Sequence, residues 1–157
     1  MSQAWIVALS ACLAFAACGP SESKAPAAVA KAAVDEQLEA LVPELVDAIQ
    51  AKQPVFVMDH VGEAFKDERG LDYFGVRSVV ESYAFRDEEV GARLESVAIT
   101  PIEADKQRVV ARVAFALGQR IAADKALPPG AVTYAFDLVF EKHDARWRAV
   151  AGSYRRE

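Results

Sequence analysis

From Val132 to Arg155 the chain reads VTYAFDLVFEKHDARWRAVAGSYR, and this stretch limits the possible folds more than any other. Val132, Tyr134, Phe136, Leu138 and Phe140 alternate with Thr133, Ala135, Asp137, Val139 and Glu141, the period of a β-strand with one strongly apolar face. Glu141 to Arg146 is polar and turn-like, and Trp147 to Tyr154 resumes as a second strand. The bulky face of such a hairpin has to be covered, and only the segments upstream can cover it. By this pattern Phe136 lies deep in the core, and Asp137 points to the opposite face.

Those upstream segments are helical first and extended later. Asp35 to Gln53 places Leu38, Leu41, Val42, Leu45, Val46 and Ile49 on one helical face, with Asp35 as N-cap and Pro43 as a kink or restart. Pro54 opens a shorter helix, expected to run to Phe65, with Val57, Val61, Ala64 and Phe65 on one side. After the charged turn Lys66 to Leu71, Asp72 reads as the N-cap of a third helix, with Leu71 and Val76 as its hydrophobic staple. Tyr73, Val76, Val80 and Tyr83 form its apolar face. Beyond Gly91 the period drops to two. Leu94 to Pro101 predicts one strand and Arg108 to Leu117 another, with Ile102 to Gln107 as the loop between them. The order predicts an α+β layer fold of three N-terminal helices and an antiparallel sheet of about four or five strands.

The chain is 157 residues long with a net charge of −5, a balance that excludes the basic surface nucleic acid requires. Its only two cysteines are Cys12 and Cys18, so a thiolate metal site after Gly19 is excluded. No metal and no cofactor is expected. Ala4 to Ala17 is apolar and uncharged, shorter than the roughly 20 residues a spanning helix needs but ample for an export signal. It ends in Ala16-Ala17-Cys18-Gly19, which resembles the lipobox of bacterial lipoproteins. Phe15 stands where leucine is usual, and the customary basic residue near the start is missing. Leu9-Ser10-Ala11-Cys12 matches the letters better but leaves too short an apolar run before it. The alternatives are an ordinary cleaved signal or a buried first helix.

The resemblance implies a signal peptide over 1–17, a lipidated Cys18 with a flexible tether over 18–34, and a folded domain over 35–157. It implies a bacterial cell-envelope protein that meets the membrane through its lipid and faces the periplasm, from the outer membrane rather than the inner. The tether, rich in Pro, Ser, Lys and Ala with no aromatic residue, suits that arrangement.

Three features carry a second resemblance. They are the segment from Phe65 to Val80 around Gly70-Leu71-Asp72, the Leu127-Pro128 loop, and the ending YAFDLVFEKHDARWRAVAGSYR. Over about Asp35 to Arg155 the chain resembles the nuclear transport factor 2-like superfamily, which includes ketosteroid isomerase-like folds, and more narrowly a group of bacterial lipoproteins within it. The resemblance implies three helices packed into a strongly curved sheet, a cone. Its pocket-lining candidates are Tyr73, Val80, Tyr83, Phe115, Tyr134, Phe136, Leu138 and Trp147. Enzymes of the superfamily place an acid or base in the cone, and here the candidates are Asp59, His60 and Tyr83. No enzyme motif is matched residue by residue. Three readings follow: a non-catalytic domain binding a small apolar ligand or a protein partner, a small isomerase or dehydratase, and a structural protein with a filled cone. A homodimer through the convex sheet face is a further expectation.

Overall fold

The structure, a computed structural model, describes residues 33–157. Cys18, the apolar run and nearly all of the tether lie outside the described residues. Helix α1 (Glu36–Gln50) begins where Asp35 Oδ1 accepts the N–H groups of Gln37 and Leu38, two of the donors a helix start leaves free. It buries Leu38, Leu41, Val42, Val46 and Ala48. It runs on through Pro43, which is exposed like Glu39, so the carbonyl that loses its partner lies on the solvated side.

Helix α2 (Pro54–Asp59) stops six residues short of the expected end. Val61 to Asp67 forms β1, which pairs parallel with the last strand, and the Ala149 N–H donates to the His60 carbonyl at 2.9 Å. A β-branched residue followed by glycine favours helix only weakly, and an open strand edge supplies backbone partners instead. Phe65 is buried from this strand. Helix α3 (Tyr73–Ala84) begins at Asp72, whose Oδ1 accepts the Gly75 N–H at 2.9 Å, and none of its residues is fully buried.

The remaining strands are β2 (Val90–Glu103), β3 (Lys106–Leu117), β4 (Val132–His143) and β5 (Arg146–Arg156). The order across the sheet is β1-β5-β4-β3-β2. Two expectations are thereby corrected. The three helices are not consecutive, because β1 lies between α2 and α3, and the sheet is mixed because β1 is parallel. Nor is it strongly curled. Strand β2 passes through Pro101, which an edge strand tolerates beside a bulge, leaving only Ala104 and Asp105 as the loop to β3.

One face of the sheet meets the helices. It carries Ala92 and Leu94 from β2, Val109, Ala111 and Val113 from β3, and Leu138 and Phe140 from β4. On β5 a bulge at Val150 resets the alternation: Phe140 pairs with Ala149, but Leu138 pairs with Gly152 and Phe136 with Tyr154. Trp147, Ala149, Gly152 and Tyr154 therefore share the helix-facing side. A Cβ on Gly152 would collide with Leu138 Cδ2 and reach the Asp137 carbonyl at 3.0 Å, so the bulge brings the two strands close there. The deepest phenylalanine is Phe140, 2 % exposed, and Phe136 is only half-buried, against the expectation. Helix α1 covers the β2–β3 side, whereas α3 packs on α2 and β1.

Candidate functional site

Where α3 leaves the sheet uncovered, four aromatic rings meet. Phe115 of β3 lies edge-on to Tyr134 at 5.9 Å and to Phe136 at 6.3 Å. Tyr154 of β5 completes the group, 6.3 Å from Tyr134 and 6.1 Å from Phe136. Phe115, Tyr134 and Phe136 are half-buried, and Tyr154 is 37 % exposed. Rings in a closed core are hidden on all sides, whereas these keep part of their faces toward solvent. The Arg69 guanidinium stands 5.0 Å over the Tyr154 ring, and its Nη2 donates to the Tyr154 carbonyl at 3.3 Å. Asp67, close by in the turn, accepts the backbone N–H groups of Arg69 and Leu71 and so fixes where Arg69 starts.

The opposite end of the sheet is closed by polar contacts. His60 caps α2 with its Nδ1 2.8 Å from the Trp147 carbonyl, an acceptor, so Nδ1 carries the proton. Its ring lies 5.2 Å from Phe56. Nearby, fully buried Gln107 accepts the Asp35 N–H on Oε1 at 3.2 Å and donates from Nε2 to the Ala33 carbonyl at 3.0 Å. Lys142 Nζ donates to Asp35 Oδ2 at 2.9 Å and stands 5.5 Å over the Trp147 ring. Burial works to raise the Asp35 carboxyl, but the Lys142 ammonium, the Trp147 indole and the Gln37 amide outweigh it and hold the group below its usual range. The indole N–H of Trp147 contributes to that field without itself reaching hydrogen-bond geometry.

The outer face is a lattice of ion pairs. Arg108 grips Asp137 through Nε and Nη2, Arg112 pairs with Glu157, and Lys106 pairs with Glu141. The Arg108 guanidinium draws the Asp137 carboxyl below the ordinary carboxylate range. Asp137 is thus a partnered surface carboxylate on the side away from the helices.

No family model matches the sequence, and no curated protein matches it significantly. Solved structures do match. A protein assigned as a scytalone dehydratase from Novosphingobium aromaticivorans aligns with a TM-score of 0.61 at 12 % identity, over 78 % of this chain and 83 % of that one. A nuclear transport factor 2-like protein from Cytophaga hutchinsonii aligns at 0.56 and 16 % identity, over 79 % of this chain and 100 % of the other. The fold is nuclear transport factor 2-like. A type 2 hexachlorocyclohexane dehydrochlorinase shares it, at 0.56 and 10 % identity over 78 % of this chain and 88 % of the other. Identities this low establish the nuclear transport factor 2-like fold and no activity.

Within this fold the expected site residues separate. Phe115, Tyr134 and Phe136 come together at the uncovered end. Leu138 packs against the main core, and Trp147, 2 % exposed, belongs to that core instead of a pocket wall. Tyr73, Val80 and Tyr83 stay on α3, where Tyr73 is edge-on to Phe74 and Tyr83 lies under Arg86. Phe74, beside Tyr73, is 72 % exposed. Asp59 is exposed at the end of α2, and His60 is bonded to the main chain of β5. Asp59, His60 and Tyr83 form no hydrogen-bonded set. The sequence reading missed Tyr154 and Arg69, because the bulge that turns Tyr154 inward leaves no sign in the residue pattern. Among the described residues, no three His, Cys, Asp or Glu side chains are grouped as metal ligands.

Proposed function

We propose that this domain is a non-catalytic binding module that takes a small, largely apolar ligand on the ring wall of Phe115, Tyr134, Phe136 and Tyr154. The observation that carries the reading is that wall itself: four adjoining rings kept partly in contact with water on a face that elsewhere serves as core. Partly exposed tyrosines supply large, stiff contact area at little entropic cost. Titration with a neutral arene, 4-phenylbutanamide, should shift the ring resonances of Tyr134 and Tyr154, and Tyr134→Ala should weaken the effect. Shifts confined to other residues, or none at all, would sink the reading.

A catalytic reading draws support from the names of two structural neighbours, a dehydrochlorinase and the protein assigned as a dehydratase. His60 is its best base. Against it, the His60 ring is tied to Trp147, while the wall ends at Tyr154. Allowing for the bulge, these lie about 20 Å apart along β5 at the usual strand rise. A base at one end of the sheet does not serve a ligand held at the other.

The proposal includes a lipid anchor at Cys18 and an envelope location, supported by the apolar run ending in Ala-Ala-Cys and by the tether. Among the described residues no helix is long and apolar enough to cross a membrane. Cys18→Ser should release the protein from the membrane fraction on cell fractionation, and a variant retained as fully as the parent contradicts the anchor. The outer face, with its paired charges, is the surface offered for a homodimer.

A further inference from the structure

We infer that the ligand of the ring wall carries an anionic group, a carboxylate on an aromatic or short aliphatic body, read by Arg69 and Arg156. The inference rests on the binding reading above and specifies its chemistry. Tyr134 and Arg156 are direct partners in the β4–β5 register, and directly opposed residues project to the same face. Arg156 therefore flanks the wall on the Tyr134 side, as Arg69 flanks it over Tyr154. Arg69 spends one N–H on the Tyr154 carbonyl and keeps the rest of its five-donor fork. Arg156 is exposed and makes no ion pair among the described residues.

The acids nearby are engaged or turned away. Glu157, next in the chain, pairs with Arg112 on the outer face. Asp67 serves backbone N–H groups through Oδ1, and both Asp67 and Glu68 line the outer hollow with Lys66 and Asp137. Two cations without a carboxylate partner at the margin of an aromatic surface form a receptor for an apolar anion. The rings take the body, and the guanidinium forks take the two oxygens.

Calorimetric titration of the full chain with 4-phenylbutyrate and with 4-phenylbutanamide tests this, because the pair differs only in the charged group. The acid should bind roughly tenfold more tightly than the amide, the gain expected of a charge-assisted hydrogen bond. Arg69→Gln and Arg156→Gln should each weaken the acid several-fold and leave the amide unchanged, and added salt should weaken only the acid. Equal affinity for acid and amide overturns the inference and leaves the binding reading standing. An equal loss of both probes in Arg69→Gln also overturns it, since the arginine then only props Tyr154. If neither probe binds, and the Tyr134 and Tyr154 resonances stay unmoved by the amide, the binding reading falls and this inference with it.

Discussion

Phe140 and Phe136 sit four positions apart on one strand and one face, yet their surroundings differ. Phe140 lies against Leu38, Trp147 and Ala149 in the main core, whereas Phe136 packs at the margin of a smaller cluster of Val46, Ala92 and Val113 and is otherwise met by rings and water. Phe140→Ala should cost about 3–5 kcal/mol, through lost transfer energy and the cavity left behind. Phe136→Ala should cost roughly 1–2 kcal/mol, because only part of its surface is hidden. Urea titration of the two variants checks the order, and a reversed order would put the core at the wrong end of β4. Periodicity alone made the two positions equivalent. The difference arises from how completely each is covered, Phe140 lying inside the larger buried cluster and Phe136 at the margin of the smaller one under Val46, a tertiary fact without a sequence signature. The same limit applies to Tyr154, whose side is set by one extra residue at Val150. Asp72 was readable because an N-cap is local: its side chain needs only the N–H three residues on.

At the scale of elements, the long connection from Gly118 to Ala131 does more than join β3 to β4. It folds back on the exposed edge of β2, where Gln50 Oε1 accepts the N–H groups of both Ala92 and Ile121, and Arg93 donates to the Ala122 carbonyl. An unpaired strand edge invites pairing with other chains, and this loop blunts the first part of it. The fit depends on Gly91, since a Cβ there would stand 2.5 Å from the Gln119 carbonyl and 2.9 Å from the Ile121 nitrogen. Gly91→Ala should therefore destabilise by about 1–3 kcal/mol, the usual cost of overpacking. Amide exchange should quicken at Ala92 and Ile121 ahead of β3. Unchanged exchange at those two amides would show that the loop does not depend on close approach. Strands β3 and β4 were legible because their alternation is nearly unbroken. Strand β1 was not, because Val57, Val61, Ala64 and Phe65 fit a helical stripe as well, and only the waiting edge of β5 decides between the two.

For the molecule as a whole, the carboxylates that hold protons more weakly when folded set the acid limit of stability. Asp35 and Asp137 are both held below their ordinary value of 3.8. A carboxyl depressed by folding stabilises the folded state at every pH above its unfolded pKa, and that contribution disappears as pH falls through the folded one. Stability should accordingly be flat in this respect above about pH 5 and decline below about pH 4. Asp35→Asn should flatten the decline more than Asp137→Asn, because the Asp137 pair is more exposed and water screens it. Thermal melts from pH 3 to 7 provide the comparison, and identical profiles for parent and Asp35→Asn would remove Asp35 from the account.

The Gln107 clasp also fixes a direction. It holds the main chain at Ala33 and Asp35 beside the tip of the β4–β5 hairpin, while Arg156 and Glu157 lie beside Tyr134 and Thr133 at the other extremity of the sheet. An eleven-residue strand at the usual rise separates the two extremities by about 35 Å. A dye attached after Glu157 would therefore neighbour the ring wall, and one placed at Ala33 would stand a whole strand away. Energy transfer between the two dyes would be insensitive to ligand, whereas quenching of the C-terminal one would follow it. The geometry thus offers a ratiometric reporter in which a dye beside Tyr134 reads occupancy and one at Ala33 serves as its internal standard.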